Sequence, residues 1–409
     1  MNIKQPSHNV YDAMLLFSIV SCVLGTVQFG IISHTFILGL ICLPFAVLGL
    51  IKDVIDGKMK GIIFVVAMLL FYAISSVIWG VRSPIMFQEL WFLFWNINIF
   101  IGLYYISQKA LQPREDILKG WELLIALTMV VAFWEILTNS HIPQFGDFNE
   151  EQSIADKDGV LEERIFAAVT YKNLNSYVTL LCMAIPLLML SIFQLKHTVR
   201  SICITLLAMV LVIINSSRGG FMCLFVFLLV LFLFYPKINF AHKKALSVLG
   251  IGMIVTLVIK YGLTIAQQSL NRFNNYGTEN IMDDPGRYDV WQMGLDFCLD
   301  SFGFGCGVGS MQPMYEKTGF WLHYSHNIVI EFILQYGIYL GIPFFLCIFL
   351  NWIKMIKATD YSNKAIGWMW LLAFVPLVII DDTYLTHPYV WVWLVSQFVL
   401  TNHLQEQTK

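Results

Sequence analysis

Charge is what this chain has least of. Only 13% of its 409 residues are Asp, Glu, Lys or Arg, while 58% are hydrophobic and mean hydropathy is +0.70. Soluble domains carry about a quarter charged residues, so that class is excluded and a polytopic membrane protein is implied. A basic excess is missing too. With a net charge of -2 and a pI near 6.5, no nucleic-acid partner is expected, because phosphate binding wants a basic face. The eight cysteines form no framework, since most lie in apolar runs where a thiol acts as a small hydrophobe. Cys298 and Cys306 lie in a polar region, and a bridge between them stays open. No small-residue cleavage site follows "MNIKQPSHNVYDAM", so the first apolar run reads as an uncleaved helix rather than a signal peptide. No internal repeat relates the two halves, which argues against a transporter or lipid flippase built on symmetry.

What is present is a series of apolar stretches, near residues 11–30, 31–51, 61–80, 90–107, 120–137, 173–193, 199–214, 219–235, 246–263, 326–352, 366–380 and 387–402. Spanning a bilayer takes about 20 such residues, and lipid tolerates no unpaired backbone. The reading is therefore an all-α bundle of about twelve transmembrane helices, forming one domain over residues 1–409. Orientation follows from the cations. Lys4, Lys52, Lys58, Lys60, Lys109, Arg114, Lys119, Lys196, Arg200, Lys237, Lys243, Lys244, Lys354, Lys357, Lys364 and Lys409 make 16 of the 25 Lys and Arg, and all fall in every second connection or at a terminus. The positive-inside rule makes that face cytoplasmic, with both termini on it. The extracytoplasmic face then owns two long loops, residues 138–172 and 264–325.

Several rare polar residues gather on that outer face. Arg218, in "INSSRGGFM", stands where the eighth stretch begins, and Gly219 and Gly220 suggest a tight turn that leaves the guanidinium accessible. A charge at that depth marks a site or snorkels to lipid headgroups, and both readings stand. Asp284 and Pro285 open a helix in the large loop, with Trp291, Leu295, Cys298 and Phe302 on one face and Asp289, Gln292, Asp296 and Asp300 on another. That pattern suggests an amphipathic helix lying at the interface. Arg287 in its first turn suits an anion, because free N–H groups and the positive dipole end point the same way. The glycines at 303, 305, 307 and 309 follow no strand, so they read as a tight turn re-entering the bundle rather than a nucleotide loop. His323 and His326 open the tenth stretch in "HYSHN". Without a third ligand at a suitable spacing they do not make a metal site. At a cavity mouth a histidine serves as general base, and within a bundle it serves as a hydrogen-bonded core residue.

The blocks "TYKNLNSYVTLLCMAIPLLM", "SSRGGFM", "GRYDVWQMGLDF", "GFGCGVGSM" and "SHNIVIEFILQYGIYLG", in that order over roughly residues 165 to 350, resemble the O-antigen ligase and O-antigen polymerase family of bacterial envelope glycosyltransferases. Family members often carry a Gly-x-x-Gly turn after the His-Asn pair, whereas Gly337 and Gly341 here are separated by three residues. The resemblance implies a glycosyltransferase C-like bundle in the bacterial cytoplasmic membrane, with its active site on the extracytoplasmic face. It implies undecaprenyl diphosphate-linked glycans as donor and acceptor, no cofactor and no metal. Arg218 and Arg287 would then hold the diphosphate and His326 would activate the acceptor hydroxyl. Arg272, His323, Arg164 and Lys172 are accessory candidates, and a chain-length regulator protein is a further expected partner. An outer face holding about 9 cations against 19 acids favours a polymerase over a ligase, whose phosphorylated lipid A-core acceptor would want a basic surface.

Overall fold

The computed structural model describes residues 9–25, 27–29, 32–138, 140–141, 153–155, 161–163, 166–171, 174–195, 198–215, 217–238, 285–319, 324–381 and 384–406. It is built from helices: α1 (Val10–Val20, continued by a 3-10 turn to Leu24), α2 (His34–Asp56), α3 (Gly61–Trp79), α4 (Met86–Ser107), α5 (Pro113–Thr138), α6 (Leu174–Gln194), α7 (Thr198–Ile214), α8 (Arg218–Phe234), α9 (Pro285–Asp300), α10 (Met311–Glu316), α11 (Ile328–Ile356), α12 (Tyr361–Val378) and α13 (Pro388–Glu406). Two short hairpins, Gln28–Phe29 with Ile32–Ser33 and Ser153–Ala155 with Leu161–Glu163, are the strands among the described residues. Ten of the twelve apolar stretches coincide with helices; the first, 11–30, is helical only to Leu24 and ends in a strand, and the ninth, 246–263, lies outside the described residues. The chain is a predominantly helical, polytopic membrane protein.

Helices α2, α3, α4, α5, α6 and α11 are long and apolar enough to cross a membrane, and α1, α7 and α8 are shorter apolar helices. Their surroundings differ. The apolar window of α6 is 94% buried, so protein surrounds it, whereas that of α2 is 33% buried and presents Ile37, Leu40, Leu48 and Ile51 outward. Helix α13 is buried along most of its length, which lets it carry Trp391, Trp393, Ser396 and Gln397 without exposing them to hydrocarbon. Close approach of α2 to α4 depends on small residues, as lipid-embedded packing generally does. A Cβ on Gly102 would come within 2.5 Å of the Cys42 carbonyl oxygen, and one on Gly39 within 2.7 Å of the Trp95 ring.

The two ends of the bundle have different chemistry. At one end Arg114 bridges helices, its Nε donating to Gln194 Oε1 at 2.8 Å and its Nη2 to Asn363 Oδ1 at 2.7 Å. Lys237 and Lys364 both stand over the Tyr361 ring there, and Lys109 stands over Tyr11. The connections rich in lysine thus meet at one end, as their alternation requires.

At the other end α11 is broken. Gly337 has φ 77° and ψ 171°, and the glycine-rich turn wedges into the break. Cys306 N–H donates to the Leu334 carbonyl at 2.7 Å, Gly307 N–H to Gln335 at 2.9 Å, and Ile338 N–H to Gly303 at 2.9 Å. The glycines at 303, 305, 307 and 309 all have positive φ, so the expected tight turn is present. A Cβ at Gly305 would lie 2.6 Å from the Gly337 nitrogen, which is why backbone alone fills this contact. Cys298 and Cys306 are both free thiols, and burial raises each above the usual range, Cys306 to about 11.

One expectation about α9 is corrected. Its buried residues are Val290, Gly294 and Cys298, while Leu295 and Phe302 are exposed. The reason is Gly294, which a count of apolar side chains passes over. A Cβ there would stand 2.6 Å from Ile330 Cγ2 and 2.7 Å from the Tyr315 hydroxyl, so the helix seats its glycine on α11. The acids Asp289, Asp296 and Asp300 face outward as expected.

Candidate active site

Arg218 is the first residue of α8, and Ser217 caps that helix by accepting from Gly220 N–H at 3.4 Å. The arginine is exposed. Gly219 and Gly220 do not make the expected turn, because both lie inside the first helical turn. They serve packing instead. A Cβ on Gly219 would meet Ile380 Cγ1 at 2.7 Å and the Pro376 carbonyl oxygen at 3.0 Å, and one on Gly220 would meet Val178 at 2.8 Å and Val212 at 2.9 Å. The start of α8 is therefore pressed between α6, α7 and the end of α12.

Arg287 arrives at the same place from α9. Half-buried in the first turn, it donates from Nη1 to the Ile379 carbonyl at 3.1 Å. The C-terminal end of a helix carries partial negative charge, so a guanidinium is favoured there. Residues 376–380 are thus flanked by the helix turns that carry both arginines.

His326 precedes α11 with φ 46°, a left-handed conformation uncommon for a side chain other than glycine. Asn327 caps the helix, its Oδ1 accepting from Val329 N–H at 2.9 Å and Ile330 N–H at 3.3 Å. The loop is tied to α9 by Trp291, whose indole N–H donates to the Ser325 carbonyl at 2.7 Å. The chain thus links the helix bearing Arg287 to the loop bearing His326. Arg272, His323, Arg164 and Lys172 lie outside the described residues.

Three buried acids lie close to these elements, and two of them, Glu331 and Glu135, escape a reading based on loops. Glu331, one turn into α11, accepts from Tyr384 N–H at 2.9 Å and joins α11 to the turn before α13. Asp381 accepts from Ser176 Oγ at 3.0 Å and from the Tyr389 hydroxyl at 3.2 Å, and its Oδ2 lies 3.6 Å from His387 Nε2. Glu135, near the end of α5, accepts from Ala168 and Val169. The available signal was an acid or amide inside an apolar stretch, since such groups are retained in membrane helices only with partners. Among the described residues no group of three or more His, Cys, Asp or Glu is placed to hold a metal ion.

Known proteins share part of this chain. Residues 203–346 match the family model described as O-antigen ligase, about a third of the sequence and within the region where the motif blocks fall. The teichuronic acid biosynthesis protein TuaE of Bacillus subtilis (strain 168) is 20% identical over 303 residues, covering 69% of this chain. The matched stretch spans 58% of that relative's length. Together these matches bear out the resemblance to the O-antigen ligase and polymerase family.

Proposed function

We propose that this protein is a polyprenyl diphosphate-dependent glycosyltransferase that polymerises surface polysaccharide at the outer face of the bacterial cytoplasmic membrane. Donor and acceptor are undecaprenyl diphosphate-linked repeat units, and a chain-length regulator is the expected protein partner. The observation that carries this reading is the approach of the Arg218 and Arg287 turns to one short segment, residues 376–380, with the His326 loop braced against the same helix as Arg287. The donor's lipid tail keeps its diphosphate at the membrane boundary, where the end of the bundle opposite the lysine-rich one would stand.

In this mechanism Arg218 and Arg287 bind the diphosphate through planar, bidentate forks. They take up the charge that develops on the leaving group. His326 accepts the proton of the acceptor hydroxyl as that oxygen bonds to the donor's anomeric carbon. The bond from that carbon to the diphosphate breaks on the opposite side, so the centre inverts. No metal takes part.

A second reading is favoured by the family description itself: a ligase that transfers the finished glycan onto lipid A-core. Purified protein in proteoliposomes distinguishes them. Given lipid-linked repeat units alone, a polymerase releases undecaprenyl diphosphate and builds a ladder of longer lipid-linked glycans. A ligase leaves the units unchanged until lipid A-core is added, and that outcome overturns the polymerase assignment.

A further inference from the structure

Glu135 is 1% exposed and lies in the last turn of α5, where the helix dipole disfavours an anion and the apolar surroundings disfavour any charge. It is compensated by one segment. Its Oε2 accepts from the N–H groups of Ala168 at 2.9 Å and Val169 at 2.8 Å, and its Oε1 lies 3.4 Å from His141 Nδ1. His141 in turn stacks on Phe166 at 4.5 Å. Val169 has φ 59°, a conformation that a β-branched residue adopts only when its surroundings impose it.

The residues on either side are held as firmly. Asn215 grips Ala167 in both directions, Oδ1 accepting from its N–H at 2.9 Å and Nδ2 donating to its carbonyl at 3.1 Å. Thr170 Oγ1 donates to the Val23 carbonyl at 2.5 Å, and the Tyr171 hydroxyl donates to Cys22 at 2.8 Å. Five consecutive residues outside any helix or sheet are therefore fixed by α5, the turn after α7 and the turn after α1. Asn215 stands three residues before Arg218, in the turn that presents it.

We propose that Glu135 is a positioning residue for the diphosphate site: it locks residues 167–169, and Asn215 passes that constraint to the α7–α8 turn from which Arg218 projects. This rests on the assignment of Arg218 to the diphosphate made above. Two buried N–H groups that share one acceptor oxygen hold the strained loop in place, and removing the acceptor leaves both unsatisfied.

The test is binding of undecaprenyl diphosphate in detergent, followed by ligand-induced thermal shift, so that turnover is not required. Glu135→Ala and Asn215→Ala should each weaken binding at least tenfold. Glu135→Gln should stay within threefold of the unmodified protein, because its amide oxygen still accepts both N–H groups. On an Arg218→Lys background, Glu135→Ala should weaken binding less than threefold further, since a residue that acts through the guanidinium has little left to act on. Fully multiplicative losses, or a Glu135→Gln variant as weak as Glu135→Ala, would overturn the proposal. If Glu135→Ala fails to fold, Glu135→Gln and Asn215→Ala carry the test. Unimpaired binding by Arg218→Lys would overturn the diphosphate assignment and this proposal together. Unimpaired binding by Glu135→Ala beside a weakened Arg218→Lys would overturn this proposal alone.

Discussion

Arg287 and Trp291 stand one turn apart on α9, and each donates to a carbonyl of a different element: Ile379 at 3.1 Å for the arginine, Ser325 at 2.7 Å for the tryptophan. One short helix thereby sets the distance between the end of α12 and the histidine loop. Trp291→Phe keeps an aromatic ring but removes the N–H donor with part of the indole, and the lost hydrogen bond alone costs about 0.5–1.5 kcal/mol. We expect a small fall in thermal midpoint and a larger fall in polymerisation rate. A variant that loses stability yet keeps its full rate would show that the brace does not position the loop.

The arginines have a sharper test. Arg218→Lys and Arg287→Lys preserve charge but replace a planar fork by a point charge. Each should lose most glycan synthesis in proteoliposomes while reaching the membrane in normal amounts. Normal synthesis by either lysine variant removes that arginine from the diphosphate site.

His326 combines a strained backbone with a proposed chemical role, and two substitutions separate them. His326→Ala removes the imidazole and keeps the left-handed φ, whereas His326→Gly removes the imidazole and relieves the backbone. The glycine variant should unfold at the higher temperature, and both should lose roughly 10²–10⁴ in rate, the range for a general base. In the unmodified protein, rate should fall on the acid side as the imidazole takes up a proton. His323→Ala is the control and should retain substantial activity. The reverse pattern would move the base to His323.

Orientation is tested from outside the cell. A cysteine replacing Asn274 should react with a membrane-impermeant thiol reagent in intact cells, and one replacing Lys243 should react only after the membrane is opened. Reversed labelling would put the arginines on the cytoplasmic face and remove lipid-linked repeat units as their ligand.

Gly294 offers a prediction about packing alone. Gly294→Val places atoms where Ile330 and the Tyr315 hydroxyl already stand, and such overpacking costs roughly 1–3 kcal/mol. The thermal midpoint should drop, and restoring space with an added Ile330→Ala should recover part of it. An unchanged midpoint would mean that α9 does not seat on α11 at this glycine.

Much of the helix order was legible because hydrocarbon demands long apolar runs, and these stand out whatever the packing. Even α12 and α13, which carry Trp, Asn and Gln, were found, since each still reads as an apolar run. Arg218, Arg287 and His326 stand out as candidates because a cation or imidazole at a helix end is conspicuous. Side-chain patterns fail where the contact is made by absence: Gly294 decides which face of α9 is buried, and Gly219 lets α8 touch α12. Glu135 and Glu331 were missed for another reason. Their partners are backbone N–H groups of Ala168, Val169 and Tyr384, which leave no mark on the sequence.

The glycine-rich turn seated in the break of α11 has a consequence for how this protein is surveyed. Scanning by truncation measures what is lost when side-chain atoms are removed, and along residues 303–309 the glycines have none to remove. Its tolerance is revealed only by addition. Gly305→Ala, whose new methyl would stand 2.6 Å from the Gly337 nitrogen, reports on a contact that alanine replacement of larger residues passes over in silence.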